Sequence, residues 1–210
     1  VPLGMLMTTN PIAAPPHTPS RPMLRVVTHP GRFHADDVFA CVITEHAFNH
    51  VGIVRTDDPG LIRQADVVLD VGGRYDPAAW RLDHHMSPPP AGHPEGVPMA
   101  SAGMAWHEFG ARVVGRFCPE LDEREQAEAC EIMRKETVLG IDAWDNGIFP
   151  KGNEICYAGL SQLVGEIASC DEGNSGFALA MNFLRGVLRV KLRSTSIRLR
   201  KHREANAAWE

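Results

Sequence analysis

Val67-Val-Leu-Asp-Val-Gly-Gly73 decides the fold of this 210-residue chain. The run is apolar, β-branched and short, and a diglycine turn closes it. A strand apolar on both faces belongs inside a parallel sheet, covered on each side. Its one carboxylate, Asp70, stands near the strand's end. A carboxylate there must be hydrogen-bonded, paired or metal-bound. Capping the Gly72-Gly73 turn is the plainer use.

Upstream, residues 24–28 read as a buried strand running into His29-Pro-Gly-Arg-Phe-His34. Asp36 stands where a helix N-cap would be, and Val38, Ala40, Cys41 and Ile43 begin an apolar helical face. Residues 51–55 form another strand, residues 59–64 a short helix, and residues 80–83 a fourth strand. Strands alternating with helical stretches predict an α/β domain with a parallel sheet and helices on both faces. In such sheets ligands gather beyond the carboxyl ends of the strands. That rule gathers His29, Asp70 and Asp83-His84-His85 on one edge.

Downstream, the Pro- and Gly-rich residues 87–98 read as a loop over that edge. Helices are predicted over 101–114 and 123–139, a turn cluster over 140–147, and a helix over 157–167. A long last helix starts near Phe177 and carries Phe177, Met181, Leu184, Leu188 and Leu192 on one face. Residues 185–203 hold eight Arg or Lys and no acid, either a surface for a nucleic-acid backbone or a solvated helix face. Residues 1–22 carry six of the sixteen prolines and no acid, and read as a disordered leader. The expected division is that leader, a metal-binding domain over 23–150, and a helical segment over 151–210.

Hydrophobic residues make up 44% and charged residues 22%, ordinary values for a globular domain. The net charge of -5 gives no global case for nucleic-acid binding. Five cysteines without a CxxC pair argue against a disulfide framework or a zinc knuckle, and fit a reducing, cytoplasmic setting. No apolar run is long enough to span a bilayer.

Each cluster of His and Asp has a bland reading when taken singly: a capped helix start, a turn-capping aspartate, a polar turn bearing surface histidines. Together His29, His34, Asp36, Asp70, His84 and either Asp142 or Asp145 supply the mixed imidazole and carboxylate donors of a two-metal hydrolase. Asp70, on the most central strand, is the natural ligand to bridge two ions.

Six ordered motifs carry a resemblance. They are Thr28-His-Pro-Gly-Arg-Phe-His-Ala-Asp-Asp37, Ile53-Val-Arg-Thr56, Val68-Leu-Asp-Val-Gly-Gly-Arg-Tyr-Asp-Pro77, Arg81-Leu-Asp-His-His85, Ala100-Ser-Ala-Gly103 with His107-Glu-Phe-Gly110, and Ile141-Asp-Ala-Trp-Asp-Asn-Gly-Ile148. The chain resembles the melanocyte-proliferating-gene-1 family of the DHH phosphoesterase superfamily, over residues 24–148 and more weakly beyond. The resemblance implies two divalent ions, Mn first among the candidates, and 3′-to-5′ exonuclease action on RNA through a bridging hydroxide. It implies His29, His34, Asp36, Asp70, His84 and one of Asp142 and Asp145 as ligands. Asp70, Asp83 and His85 would do or support the chemistry, with Arg55, Ser101 and Gly103 on the substrate side. A homo-oligomer is compatible with it. Three departures stand out: Met86-Ser-Pro-Pro-Pro90 follows the DHH triplet where the family has Gln and a basic or aromatic residue, Asp37 replaces a Glu, and family members continue past Glu210, so the resemblance implies that residues 151–210 begin an incomplete second domain. A small phosphoanhydride or dinucleotide as substrate, or a non-catalytic binding role, are the competing expectations.

Overall fold

The structure is a computed structural model that describes residues 23–148 and 159–209. The leader over 1–22 and the start of the helix expected from Tyr157 lie outside the described residues.

Five strands form one sheet in the order β2-β1-β3-β5-β4. They are β1 (Leu24–Thr28), β2 (Val51–Arg55), β3 (Val67–Leu69), β4 (Tyr75–Asp76) and β5 (Arg81–Leu82). The first three and β5 run parallel, and β4 pairs antiparallel with β5 at the edge. The α/β class read from the sequence is the observed one; β4, two residues long, had no pattern to announce it. The register aligns the strand ends: Thr28 sits opposite Arg55, and Leu69 opposite Leu82. His29, Asp70 and Asp83 therefore leave the sheet side by side.

Helix α1 (Ala35–Ala47) follows β1, and all but two of its thirteen residues are buried. A helix apolar around its whole circumference must be enclosed. The sheet covers one side of α1, and α3 (Ser101–Phe117), α5 (Leu139–Asp145), α6 (Leu160–Cys170) and α7 (Asn174–Ala207) cover the others. Val26, Val67, Leu69 and Leu82 face this helical mass. The opposite sheet face presents Val27 and Val68, covered only by Ala65, Val71 and Ile62 of the short helix α2 (Pro59–Gln64). Helices occupy both faces, very unequally.

The turn cluster expected over 140–147 is mostly helix. Helix α4 (Glu123–Met133) runs into a π-helical segment (Arg134–Val138) and on into α5. Gly140 meets nothing that a side chain would strike, so its small size marks no turn. The chain turns only at Gly147, which has a positive φ of 68°.

Helix α7 places Phe177, Met181, Leu184, Leu188 and Leu192 in the same core cluster as α1 and α3. Five of its eight basic residues face acids: Arg185 with Glu45, Lys191 and Arg198 with Glu136, Arg203 with Glu125, and Arg200 with Glu204. The basic run is largely the polar edge of a packed helix. Among the described residues, no helix is long and apolar enough to cross a membrane.

Candidate metal centre

Asp70 is the centre of the site. It follows β3 with φ +56°, a left-handed backbone that Asp tolerates better than most residues. The turn holds because Asp70 N–H donates to the Leu82 carbonyl at 3.1 Å. The Ser101 hydroxyl, buried at the start of α3, lies 3.2 Å from Asp70 Oδ1 and 3.0 Å from the Leu82 carbonyl. The expected cap on Gly72-Gly73 belongs to Asp83 instead, whose Oδ2 accepts from Gly73 N–H at 2.6 Å. Asp70 is thereby left to face the cavity.

Each Asp70 oxygen meets a different set of histidines. Oδ2 is 3.4 Å from His29 Nε2. Oδ1 is 3.1 Å from His84 Nε2 and 3.4 Å from His85 Nδ1. Three groups bring donor atoms within 4.8 Å of one another: Asp70, His84 and His85; His29, Asp37 and Asp70; and His34, Asp36 and Asp145. Asp70 belongs to two of them. His84 links to the third, since its Nε2 lies 3.7 Å from Asp36 Oδ2 and 3.3 Å from Asp145 Oδ2.

Asp36 does not cap α1. The helix begins at Ala35, and it is Asp37 that accepts from His34 N–H, through Oδ1 at 2.7 Å. Asp36 is freed to turn inward, 1% exposed, with no hydrogen-bond donor at either carboxylate oxygen among the described residues. Asp37 Oδ2 and His84 Nε2 are likewise buried, and each meets an ionisable group of the other kind: Asp37 Oδ2 is 3.3 Å from His29 Nε2 and His84 Nε2 is 3.1 Å from Asp70 Oδ1. An ionised carboxylate so placed costs several kcal/mol unless a cation compensates it. The donor set, imidazole with carboxylate, suits a divalent ion such as Mn, Fe, Co or Zn. The residues fit a metal.

The titration behaviour reflects the crowding. Burial raises Asp36, and the charges of Asp70 and Asp145 raise it further. Burial raises Asp37 as well, against the pull of His29. For Asp70 burial is outweighed by His84, His29 and His85, so its carboxyl stays below the ordinary value. Burial alone would lower His29, but Asp37, the Pro30 carbonyl and Asp70 overcome it and push the imidazole up to about 9. His84 rises for the same reason, with Asp70 and Asp145 against burial.

Asp83 and His85 act as a pair. Asp83 is buried, and its Oδ1 lies 2.9 Å from His85 Nδ1 and accepts from His85 N–H at 3.1 Å. With Nδ1–H held by Asp83, the exposed His85 lines the cavity with Nε2 left for proton transfer, the arrangement an acid or base needs.

The sequence leaves Asp142 and Asp145 as alternatives; the structure brings only Asp145 into the cluster. Asp142 is fully buried behind the centre, its Oδ2 2.6 Å from His93 Nε2, its Oδ1 accepting from Gly103 N–H at 3.0 Å. Arg134 Nη1 lies 3.1 Å from His93 Nδ1. A guanidinium only donates, so Nδ1 accepts and Nε2 carries its proton toward Asp142. Burial raises the Asp142 carboxyl, and His93 limits the rise. His93 escaped sequence reading because it is a solitary histidine in a Pro/Gly loop whose partner lies 49 residues away. Asp37 stands in the sequence reading as the residue in place of a family Glu, without a ligand role.

Arg55, Ser101 and Gly103, expected on the substrate side, do not line the cavity. Arg55 donates to the carbonyls of Gly31 and Glu172 and stacks on Phe33 and Phe177, tying the first-motif loop to the start of α7. Ser101 steadies Asp70. Gly103 admits Asp142, whose carboxylate a Cβ there would overlap. A cavity of about 930 Å³ lies over the His and Asp cluster, and α6 forms its far wall with Ser161, Gln162, Gly165, Glu166 and Ser169. Only Ser161 lies in a stretch the resemblance reached, and weakly; Gln162, Gly165, Glu166 and Ser169 are brought there by the packing of α6.

A parallel α/β domain with a candidate His and carboxylate metal centre beyond its strand ends is the class that fold and site define. The match to known proteins is specific. Residues 25–208 match the family model MYG1_exonuc, described as an uncharacterised protein family (UPF0160). The chain belongs to this family, the melanocyte-proliferating-gene-1 family. It is 34% identical over 153 residues to MYG1 exonuclease of Homo sapiens, covering 66% of this chain and 41% of that protein. It is 32% identical over 143 residues to a MYG1 protein of Schizosaccharomyces pombe, covering 62% and 42%. A MYG1 protein of Chlamydia trachomatis is 30% identical over 161 residues, covering 75% and 50%. The chain thus spans half or less of the length of these relatives. No solved structure matches it.

Proposed function

We propose that this chain is the catalytic, DHH-type module of a metal-dependent phosphodiesterase that removes nucleotides from RNA in the 3′-to-5′ direction. The observation that carries the reading is Asp70, shared by two donor groups and backed by the buried, donorless carboxylate of Asp36. The name exonuclease borne by the mammalian relatives supports the substrate class.

Two divalent ions, Mn by preference, would supply Lewis acidity and an activated water. The chain's own residues do the rest. His29, Asp37 and Asp70 would hold one ion, and His34, Asp36 and Asp145 would hold the other, with Asp70 also facing His84 and His85. His84 closes the gap between the groups. His85, steered through Nδ1 by Asp83, offers Nε2 as the proton donor to the leaving oxygen. The His93 and Asp142 pair fixes α5, and with it Asp145.

The test is release of mononucleotides from a short 3′-labelled RNA, with and without Mn, alongside pyrophosphate and a cyclic dinucleotide. Mn-dependent release from RNA is expected, with loss of about a thousandfold or more in Asp70→Ala, the scale of losing one strong catalytic group. A protein that binds Mn and cleaves none of the three would sink the hydrolase reading; turnover of pyrophosphate alone would transfer it to a small phosphoanhydride.

A further inference from the structure

Arg32 is the one Lys or Arg among the described residues that line the cavity. Asp36, Asp70, Asp145 and Glu166 line the same cavity, yet Arg32 forms no ion pair with any of them. Its Nη2 bonds neutral acceptors on α6 instead: the Ser169 hydroxyl at 2.8 Å and the Gly165 carbonyl at 3.3 Å. Ser169 gives its own proton to that carbonyl at 2.8 Å, so its oxygen is free to accept from the guanidinium. Glu166 takes a bond from Gln162 at 3.5 Å rather than from Arg32. The side chain of Arg32 is thus aimed and held by one nitrogen. Its charge is unspent, and Nη1 and Nε have no partner among the described residues.

We propose that Arg32 receives a second phosphate of the substrate, the one next to the scissile phosphodiester on its 5′ side. A guanidinium stays charged and donates only, so with Nη2 engaged its Nη1 and Nε hydrogens remain to meet a phosphate oxygen. Asp70, the histidines, Arg32 and α6 line one cavity, and a space of about 930 Å³ accommodates a nucleotide with phosphates at both ends. This inference rests on the phosphodiesterase reading and names its substrate more closely: an oligonucleotide with at least two phosphates, in preference to a dinucleoside monophosphate.

The experiment compares 5′-phosphorylated diadenylate with unphosphorylated diadenylate, using the Mn-loaded full chain. The ratio of their kcat/KM values should exceed about tenfold, the weight of a charge-assisted hydrogen bond. Arg32→Met should bring the ratio close to one, and Arg32→Lys should keep part of it. A role confined to strapping the first-motif loop to α6 would lower both substrates alike and leave the ratio unchanged; that result, or a wild-type ratio near one, overturns the proposal. If neither substrate is cleaved, the hydrolase reading falls, and titration calorimetry of the same two dinucleotides decides this inference separately. Preferential binding of the phosphorylated one, abolished in Arg32→Met, upholds it; equal binding overturns it.

Discussion

Asp70 combines backbone strain with a crowded charge environment, and the two effects separate on mutation. A non-glycine residue in the left-handed region costs about 1–3 kcal/mol, and Asn bears that conformation about as well as Asp. Asp70→Asn should therefore keep the turn but lose the attraction of His84 and His29, so the melting temperature of the metal-free protein falls modestly at neutral pH, while Mn affinity measured by calorimetry falls at least tenfold. A large loss of stability would show that the carboxylate holds the fold rather than the ion. His29 gives the pH dependence. Its folded-state pKa is raised from 6.5 to about 9, so its cationic form stabilises the metal-free protein fully below about pH 6.5, and that contribution fades as pH rises toward 9. A metal ion must displace that proton. Mn affinity should accordingly rise from pH 6.5 to 9, with proton release visible as a buffer-dependent enthalpy, and Asp37→Asn should shift the rise to lower pH.

At the scale of elements, α5 decides which aspartate does what. Asp142 and Asp145 are one helical turn apart, so sequence spacing alone cannot rank them. The π-helical segment before α5 carries Arg134 to His93 and Glu95 and sets how deep each aspartate lies. Gly103 is the complement on α3: a methyl there overlaps the Asp142 carboxylate. Gly103→Ala should cost about 1–3 kcal/mol of stability, read by urea denaturation, and should weaken Mn binding by moving Asp145. Unchanged Mn affinity would separate α5 from the centre. The strands and their shared edge were legible because apolar runs ending in His or Asp carry their own pattern, as in residues 24–29 and 67–70. The continuation of α4 through Gly140 into α5 was not, because Gly140 is an exposed glycine that the helix simply tolerates, while Asp142 answers to a buried partner, His93. The His93 partnership depends on a loop folding back across the edge, which no local pattern records.

For the whole molecule, stability rests on the apolar stripe of α7 more than on its charges. Leu188 is fully buried against the common core, so Leu188→Ala should cost about 2–5 kcal/mol. Arg198, 55% exposed and 3.1 Å from Glu136, should cost under about 1 kcal/mol when changed to Ala. Chemical denaturation of the two variants checks the contrast, and a larger loss at Arg198 would mean the ion pairs organise the helix. The donors in the candidate centre come from five places in the chain: the loop after β1, the first turn of α1, the ends of β3 and β5, and α5. The outermost, His29 and Asp145, bracket more than a hundred residues. An ion gripping them would act as a removable cross-link, closing several long chain loops at once as a disulfide closes one. Resistance to proteases would then track the free metal concentration, and the amount of intact protein would report how much metal its surroundings supply.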